Sequence, residues 1–470
     1  MTNSRTLIRM ACALILGASF ACSPSDLVSN AQLPPNVPDP STTKTPAGAL
    51  SAYYGTLTLF NLAFAGRSNG GQTSAVAVSG LISDELQAKE IGGPAGVSDQ
   101  FMLMDGRTLP EYSSPQLEST AGAQGSIQLY DDLEATRGQA NEARGLIGDY
   151  GTANMKELSG HLYAIQGVAE TMLAEMFCSG VPLSTVDYNG NYTLRPGSST
   201  QDILTHAVAL FDSALTLAPD SQRVVALASV GKGRALLGLN DYAGAANAVA
   251  AVPDGFQYLE TYPGSDIATT SGSQQATQSF AVVNSVFGGW ELIASDKEGL
   301  NGLDFRSSGD PRTSQTAVGT TDHGVTVYHP DKYDQSGGGS VVLADWEEAR
   351  LIEAEAALKA GDLNTWLGKL NHLRESAISP ALPDTTDPGT PDARVNLTFR
   401  ERAFWLYLTA HRQGDLRRLI RQYGRSQGVV FPAGLYRGSK GSYGSDVNFP
   451  PPALERVANP QYTGCLGRGA

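Results

Sequence analysis

At positions 345–376 the chain reads DWEEARLIEAEAALKAGDLNTWLGKLNHLRES, with apolar residues every three or four positions on both sides of a Gly-Asp turn. Trp346 belongs to the first apolar stripe and Trp366 to the second, and this spacing is typical of amphipathic helices. Gly361 is suited to end one helix in the left-handed conformation, and Asp362 is suited to cap the next. The stretch therefore predicts a pair of helices, 345–359 and 363–376, whose apolar stripes form core rather than a ligand surface.

Similar helical units precede this pair. Residues 200–217 predict a helix in which Ala207, Phe211 and Ala214 are followed by Pro219, which is the pattern of the second helix of a tetratricopeptide repeat. A further pair, 221–239 and 242–252, is joined by Gly238-Leu239-Asn240-Asp241-Tyr242. Other predicted helices cover 47–65, 115–149 and 154–177, and a fourth helical region covers 397–423. We predict a mainly α chain with four tetratricopeptide-like helix pairs.

An insertion of different character separates the second and third pairs. Residues 253–343 are rich in Gly, Ser, Thr and aromatic residues and lack helical periodicity, which favours short strands and long loops. Insertions in repeat proteins collect on one face, often the binding face. We therefore expect an irregular lobe here that faces a ligand, while the helical scaffold faces a partner.

The N-terminus predicts export. Arg5 and Arg9 precede an apolar run, 10–20, that is too short to span a bilayer and ends in Ser19-Phe20-Ala21-Cys22. This ending resembles a bacterial lipobox, so that 1–21 is a signal peptide, Cys22 carries lipid, and the proline-rich segment 22–46 is a tether. The alternative is an ordinary secretory signal cleaved after Ala21, with Cys22 a plain thiol. Residues 47–470 are then one domain.

Charge and cysteine content narrow the classes of partner. The 470 residues include 33 Lys and Arg against 47 Asp and Glu, a net charge of −14, which argues against nucleic-acid binding.

After export, Cys178 and Cys465 remain, and they either form a disulfide or stay as two buried thiols. No cysteine and histidine spacing indicates zinc, and we expect no bound metal and no cofactor.

Several segments together resemble the SusD/RagB family of outer-membrane nutrient-binding lipoproteins. They occur in the family's order and are Cys22 with its tether, Met176-Phe177-Cys178-Ser179-Gly180-Val181-Pro182-Leu183, Asp310-Pro311-Arg312, Ala349–Ala356, Glu401-Arg402, Arg412, Asp415-Leu416-Arg417-Arg418, Pro450-Pro451-Pro452, Glu455, Asn459-Pro460 and Tyr462. The resemblance implies a SusD-like helical fold and a non-enzymatic lipoprotein on the outer face of the outer membrane. It also implies that the protein captures oligosaccharide or another nutrient, such as peptide, for a SusC-type TonB-dependent transporter. The alternative is a tetratricopeptide-like adaptor that binds only protein or peptide.

No catalytic motif is present. Residues 230–233 lack the P-loop pattern, and neither G-x-S-x-G nor H-E-x-x-H occurs. His323 and His329 could bind a metal, but a solvated loop is the favoured interpretation. The acidic residues of 345–359 indicate a solvated helix face rather than a catalytic carboxylate pair. The arginine cluster of 400–418 indicates ion pairing within a helix and contacts at helix ends.

Sugar or peptide binding on an open surface requires flat aromatic faces beside polar groups. The insertion offers Trp290 as the first candidate. The other candidates are four tyrosines of the insertion, two in the loop after Pro182 and one in a Pro/Ser loop: Tyr258, Tyr262, Tyr328, Tyr333, Tyr188, Tyr192 and Tyr112. We expect these rings to be exposed.

Overall fold

Four pairs of helices, each packed against the next, form the scaffold of the chain in the computed structural model. The structure describes residues 40–66, 74–88, 98–120, 124–263, 292–320, 324–333, 338–436 and 441–470. The helices of these ranges are α1 (Pro40–Thr43), α2 (Pro46–Phe64), α3 (Ala75–Ile82), α4 (Ser98–Asp105), α5 (Pro115–Thr120), α6 (Gln124–Tyr150), α7 (Lys156–Met176), α8 (Thr200–Leu217), α9 (Gln222–Gly238), α10 (Tyr242–Val249), α11 (Trp346–Ala360), α12 (Leu363–Ser376), α13 (Pro391–Trp405), α14 (Arg412–Tyr423), α15 (Gln427–Val430) and α16 (Ala453–Ala458). The strands are β1 (Leu86–Ala88), β2 (Val181–Pro182), β3 (Thr185–Val186), β4 (Tyr192–Thr193), β5 (Gly197–Ser198), β6 (Gln257–Pro263), β7 (Leu292–Ala294), β8 (Gln315–Thr320), β9 (Thr326–Pro330) and β10 (Gly338–Asp345).

The pairs are α2 with α6, α7 with α8, α9 with α10, and α11 with α12. The mainly α fold is therefore confirmed, but the fourth pair lies at the N-terminal end of the array. The predicted helical region 397–423 is two helices, because α13 ends at Trp405 and a turn in which Leu408 and Ala410 have positive φ separates it from α14. α13 packs against α11, and α14 packs against α3 and α7.

Local signals at the helix ends explain why the pairs begin and end where they do. Asp345 accepts a hydrogen bond from the backbone N–H of Glu348, Asp362 caps α12 in the same way, and Gly361 ends α11 with φ of 79°. In the turn after α9 the left-handed residue is Asn240, with φ of 65°, and Gly238 remains helical. Asn tolerates this conformation better than most residues, so the two turns reach the same geometry with different residues.

Two glycines make room for the ring of Phe211, one within the second pair and one on the third pair. A Cβ atom at Gly167 of α7 would lie 2.8 Å from the ring of Phe211, and one at Gly231 of α9 would lie 2.5 Å from it. Phe211 belongs to α8 and is fully buried. The ring therefore occupies the space that a side chain on either neighbouring helix would need.

The insertion forms the predicted lobe of short strands. β6 and β10 pair antiparallel from Gln257↔Asp345 to Pro263↔Gly338, so the lobe leaves the scaffold and returns to it through one two-stranded sheet. β8 pairs with β9, and β7 pairs with β1, which follows α3. β7 also packs against β9. The lobe is thus joined to the scaffold at its base and to the N-terminal helices through β1.

The C-terminal segment returns to the middle of the scaffold. Cys178, which follows α7, forms a disulfide bond with Cys465, one of the two alternatives that the sequence leaves open. The side chain of Gln413 donates hydrogen bonds to the carbonyl groups of Met176 and Val447, which hold the segment against the end of α7. Among the helices of the described ranges, none combines the length and the apolar character that crossing a bilayer requires.

Candidate functional site

Three of the tyrosines predicted as exposed candidates lie in the interior. Tyr258 and Tyr262 are each 1% exposed, and Tyr333 is 7% exposed. The Tyr262 hydroxyl donates to the carbonyl of Asn61, and the Tyr333 hydroxyl donates to the carbonyl of Leu408. The expectation that these rings are exposed is wrong, because each faces inward from its strand or turn and finds a backbone or side-chain partner there. They join the lobe to the scaffold.

Tyr258 takes part in a buried chain of three rings. The Tyr53 hydroxyl lies 2.8 Å from Nδ1 of His161, and Nε2 of the same ring lies 2.7 Å from the Tyr258 hydroxyl. Burial lowers the pKa of His161 to about 4, so the imidazole is neutral and offers one donor and one acceptor to the two hydroxyls. This series of hydrogen-bonded rings connects α2, α7 and β6 and fixes these three elements relative to one another.

Tyr328 is the candidate that the structure places on the surface of the lobe. It lies in β9, is half-buried, and carries the guanidinium of Arg306 3.7 Å from its ring centroid. Arg306 donates to Oε1 of Gln315 at 3.1 Å and approaches Asp296 at 3.5 Å. We name Tyr328, Arg306, Gln315 and Asp296 the lobe array. It combines a flat ring, a planar cation and a carboxamide on one surface.

Hydrogen bonds to the backbone hold the lobe array in place. One oxygen of Asp296 accepts from the backbone N–H groups of Arg306 and Ser307, both at 2.9 Å. Gln315 donates to the carbonyl of Ser295 at 2.9 Å and to the Tyr407 hydroxyl at 3.0 Å. These side chains are therefore oriented before any ligand arrives, which lowers the entropic cost of binding. Asp296 and Arg306 lie in turns and Gln315 begins β8, with no periodic spacing among them, so the sequence offers no pattern that identifies them.

The hairpin of β3 and β4 carries the other two candidates on a separate part of the molecule. Tyr188 packs on α6 at Gly145, where a Cβ atom would lie 2.7 Å from its ring, and its hydroxyl donates to Asp149. Lys44 lies 5.7 Å from the Tyr188 ring centroid. Tyr192 is 75% exposed. Tyr112 is half-buried, and Trp290 lies outside the described residues.

Three of the four glutamates of α11, Glu347, Glu348 and Glu355, are buried, and the prediction of a solvated face is wrong. Glu355 is fully buried and accepts from Arg418 through both oxygens, at 2.6 and 2.9 Å. Glu348 lies 3.1 Å from Nε2 of His411. Burial alone would raise the pKa of Glu348, but His411 and nearby arginines hold it below its usual value. Helices pack on several sides of α11, so the carboxylates of Glu348 and Glu355 face interior cations and are already engaged.

The arginine cluster pairs mainly across the fold, which corrects the prediction of pairing within one helix. Arg412 donates to both oxygens of Asp84, at 2.6 and 2.9 Å. Arg312 of the Asp-Pro-Arg segment donates to Glu401 at 2.6 Å, so two of the family-like segments meet. Arg418 and Asp415 form an i,i+3 pair within α14.

Two further residues, Arg417 of the cluster and His329 of β9, are also held in the interior. Arg417 donates to the carbonyl groups at the end of α7, those of Ala174, Glu175 and Phe177, where a cation is favourable. His329 is buried in β9, which excludes the solvated-loop interpretation for this residue, and His323 lies outside the described residues. In the part of the chain that the structure describes, no group of three or more metal-ligating side chains converges.

Comparison with known proteins establishes the fold. No protein-family model and no curated protein sequence matches the chain. Among solved structures, a SusD superfamily protein from Bacteroides vulgatus ATCC 8482 is similar at 18% identity and a TM-score of 0.61, over 90% of this chain and 99% of that one. Another from Bacteroides thetaiotaomicron VPI-5482 is similar at 15% identity and a TM-score of 0.57, over 90% and 98% of the two chains. A laminarin-binding SusD-like protein is similar at 14% identity and a TM-score of 0.57, over 90% and 99%. The chain has the SusD fold, which confirms at the level of the fold the resemblance seen in its sequence.

Proposed function

We propose that this protein is a non-enzymatic lipoprotein that binds oligosaccharide at the cell surface and delivers it to a SusC-type TonB-dependent transporter in the outer membrane. The observation that carries the proposal is the lobe array, in which a guanidinium lies 3.7 Å from the Tyr328 ring centroid on the surface of a SusD fold. Solved structures with this fold include SusD-like carbohydrate-binding proteins. On the part of the chain that the structure describes, we find no comparable surface feature that favours the alternative, an adaptor that binds only protein or peptide.

The lobe array has the chemistry that sugar recognition needs. A sugar ring presents a C–H face, which packs on an aromatic ring, and hydroxyl groups that exchange hydrogen bonds with planar polar groups. The side chain of Arg306 is 32% exposed, so its N–H donors face both the array and solvent. Gln315 and Asp296 orient the guanidinium from beneath, through the contacts at 3.1 and 3.5 Å. The array offers a small patch for one or two sugar units rather than a deep pocket.

Trp290 remains a proposed member of the site. It precedes β7 by two residues, and β7 packs against β9, the strand of Tyr328. We propose, from this position in the sequence alone, that Trp290 contributes a second ring. A second ring would extend the array so that it contacts more than one sugar unit.

Affinity electrophoresis on a panel of soluble polysaccharides, including a β-glucan such as laminarin, tests this proposal. We expect Tyr328→Ala to weaken retardation by about 2- to 12-fold, because an aromatic contact is worth about 0.5–1.5 kcal/mol beyond its buried area. Trp290→Ala is expected to act in the same direction. Tyr192→Ala is the matched control, since it removes an exposed tyrosine of the other hairpin. If Tyr192→Ala alone weakens binding, the site lies on that hairpin, and if no polysaccharide retards the protein, the adaptor function is favoured.

Anchoring and delivery are tested separately from ligand binding. We propose that Cys22 is acylated and that the helical scaffold contacts the transporter while the lobe faces the ligand. Cys22→Ala is then expected to release the protein from membranes in fractionation. Tyr328→Ala is expected to leave co-purification with the transporter intact. Loss of co-purification in that variant would show that the lobe, not the scaffold, contacts the transporter.

A further inference from the structure

The first long helix of the scaffold has an unusual outer face. α2, with the sequence PAGALSAYYGTLTLFNLAF, contains no charged residue, although the chain carries a net charge of −14. Its inner face is buried and includes Tyr53 and Phe60. Its exposed positions recur at helical spacing and are Pro46, Ala47, Ser51, Tyr54, Gly55 and Thr58. In contrast, the exposed face of α8 carries charged and ionisable groups, including Asp202 and Asp212.

Tyr54 is the largest side chain on this face and is 58% exposed. Its ring meets that of Tyr53 edge-to-face at 5.1 Å, which holds it in one place on the helix. Burying the face of α2 against an apolar or interfacial phase would cost no ion desolvation, because no charged group lies on it. The face is therefore better suited to a water–lipid boundary than the charged faces of the scaffold are.

The chain enters the described structure at the same end of the scaffold. The described residues begin at Pro40, and Lys44 donates to Oδ1 of Asn189 at 3.1 Å, which joins the start of α2 to the hairpin of β3 and β4. Tyr53 and Tyr188 belong to one apolar cluster that links α2, α6 and this hairpin. Tyr192, 75% exposed, lies on the hairpin. We name the exposed residues Ala47, Ser51, Tyr54 and Tyr192 the N-terminal surface.

We propose that the N-terminal surface rests on the lipid headgroup region of the membrane to which Cys22 is anchored. This inference depends on the lipid attachment that is part of the proposed function. The segment between Cys22 and Pro40 spans at most about 60 Å when fully extended, at about 3.4 Å per residue, so it confines this end of the scaffold near the bilayer. Tyrosine is enriched at the membrane–water boundary because its ring is apolar and its hydroxyl is polar.

The contact orients the protein rather than anchoring it. Two exposed tyrosines bury too little area for stable membrane binding on their own, but the lipid on Cys22 keeps them at high local concentration beside the bilayer. The four surface residues are uncharged, and their charged neighbours, Lys44, Asp187 and Asp149, carry both signs, so the contact is expected to depend little on salt and on the charge of the headgroups. It would hold the first helix pair against the membrane and project the far end of the array, at α12, away from it.

Spin labels on the lipidated full-length protein in phosphatidylcholine vesicles test the inference. Single variants Tyr54→Cys and Tyr192→Cys provide the labelling sites, and Glu375→Cys, at an exposed position at the end of α12, is the control. Cys178 and Cys465 do not react with the label because they form the disulfide. We expect labels at 54 and 192 to collide more with membrane-dissolved oxygen and less with a water-soluble nickel chelate than the label at 375 does, at low and at high salt.

The outcomes separate this inference from the proposed function. Equal accessibility at all three positions in protein that stays bound to vesicles would overturn the membrane contact and leave the anchor intact. If the labels at 54 and 192 differ from the label at 375 only at low salt, the contact arises from attraction between Lys44 and the headgroups, and contact through the neutral surface is overturned. A protein that does not carry lipid and does not bind vesicles would overturn the anchor and the orienting contact together. In a double variant, Ser51→Glu with Tyr54→Glu, the label at 192 is expected to be as accessible to the nickel chelate as the label at 375, while the protein stays anchored to the vesicles.

Discussion

Replacing Glu355 by Gln removes one charge from the interior while keeping the shape of the side chain. Glu355 is fully buried, accepts two hydrogen bonds from Arg418, and accepts a third from the Tyr423 hydroxyl at 2.6 Å. The amide of Glu355→Gln presents N–H donors to the guanidinium, so one of the two bonds to Arg418 becomes a clash between donors. The cation is then left short of its counter-charge in a site closed to water.

Breaking a buried ion pair by removing one partner costs about 3–5 kcal/mol. Arg418 keeps its bond to Asp415 at 2.8 Å, so we expect Glu355→Gln to lower the free energy of unfolding by a value near the lower end, about 3 kcal/mol. The double variant Glu355→Gln with Arg418→Met is expected to be less destabilised than the sum of the single changes, since neither residue then leaves the other's charge buried without its partner.

Urea denaturation followed by circular dichroism at 222 nm measures the effect. Asp212→Asn is the matched control, because Asp212 is 53% exposed and pairs with Lys232 on the surface, where such a pair contributes about 0–1 kcal/mol. Equal destabilisation by Glu355→Gln and Asp212→Asn would refute the reasoning that burial sets the cost. A loss in the double variant that equals the sum of the single losses would show that the two residues do not act on each other.

Two further predictions concern pH and redox state. Burial raises the pKa of Glu85 to about 8 in the folded protein, against an ordinary value of 4.5, so the protonated side chain contributes fully to stability below pH 4.5 and this contribution is lost as the pH rises towards 8. The urea midpoint of the parent protein is therefore expected to decline over that range, and Glu85→Gln is expected to flatten the decline. An unchanged pH profile in the variant would contradict the assignment. Cys178→Ser removes the disulfide bond that joins residues 287 positions apart, and it is expected to lower the free energy of unfolding by about 2–5 kcal/mol in the same urea assay. Added reductant is expected to destabilise the parent protein and to leave the variant unchanged. A parent protein equally stable with and without reductant would show that the disulfide bond contributes nothing.

The helices were predictable because their signals are local. The predicted limits of 200–217 and 363–376 coincide with α8 and α12, where Ser199 and Asp362 cap the first turn. A capping residue and an apolar stripe act within a few residues, so one stretch of chain suffices to place a helix. The region 397–423 was harder, since its break is a turn with positive φ at Leu408 and Ala410, and neither residue is typical of that conformation.

The exposure of the candidate binding residues was less predictable, because their environment depends on distant parts of the chain. In β6 the alternation places Tyr258, Glu260 and Tyr262 inward and leaves Leu259 38% exposed, although hydrophobicity alone would place the leucine inside. The tyrosines are accommodated because their hydroxyls find His161 and the carbonyl of Asn61 on other elements. The acidic residues of α11 were misplaced for the same reason, since Arg418, the partner of Glu355, follows 63 residues later.

The ion pairs between the ends of the chain have a consequence for the order in which the protein folds. Asp84 finds its cation in Arg412, 328 residues later, and the carbonyl groups that end α7 find theirs in Arg417. Contacts of such sequence separation form slowly and late. The N-terminal helices therefore cannot complete their interior while the chain is still being made. A fragment that stops before α14 would keep an uncompensated carboxylate in its core, so this architecture does not divide into shorter, independently folding binding modules.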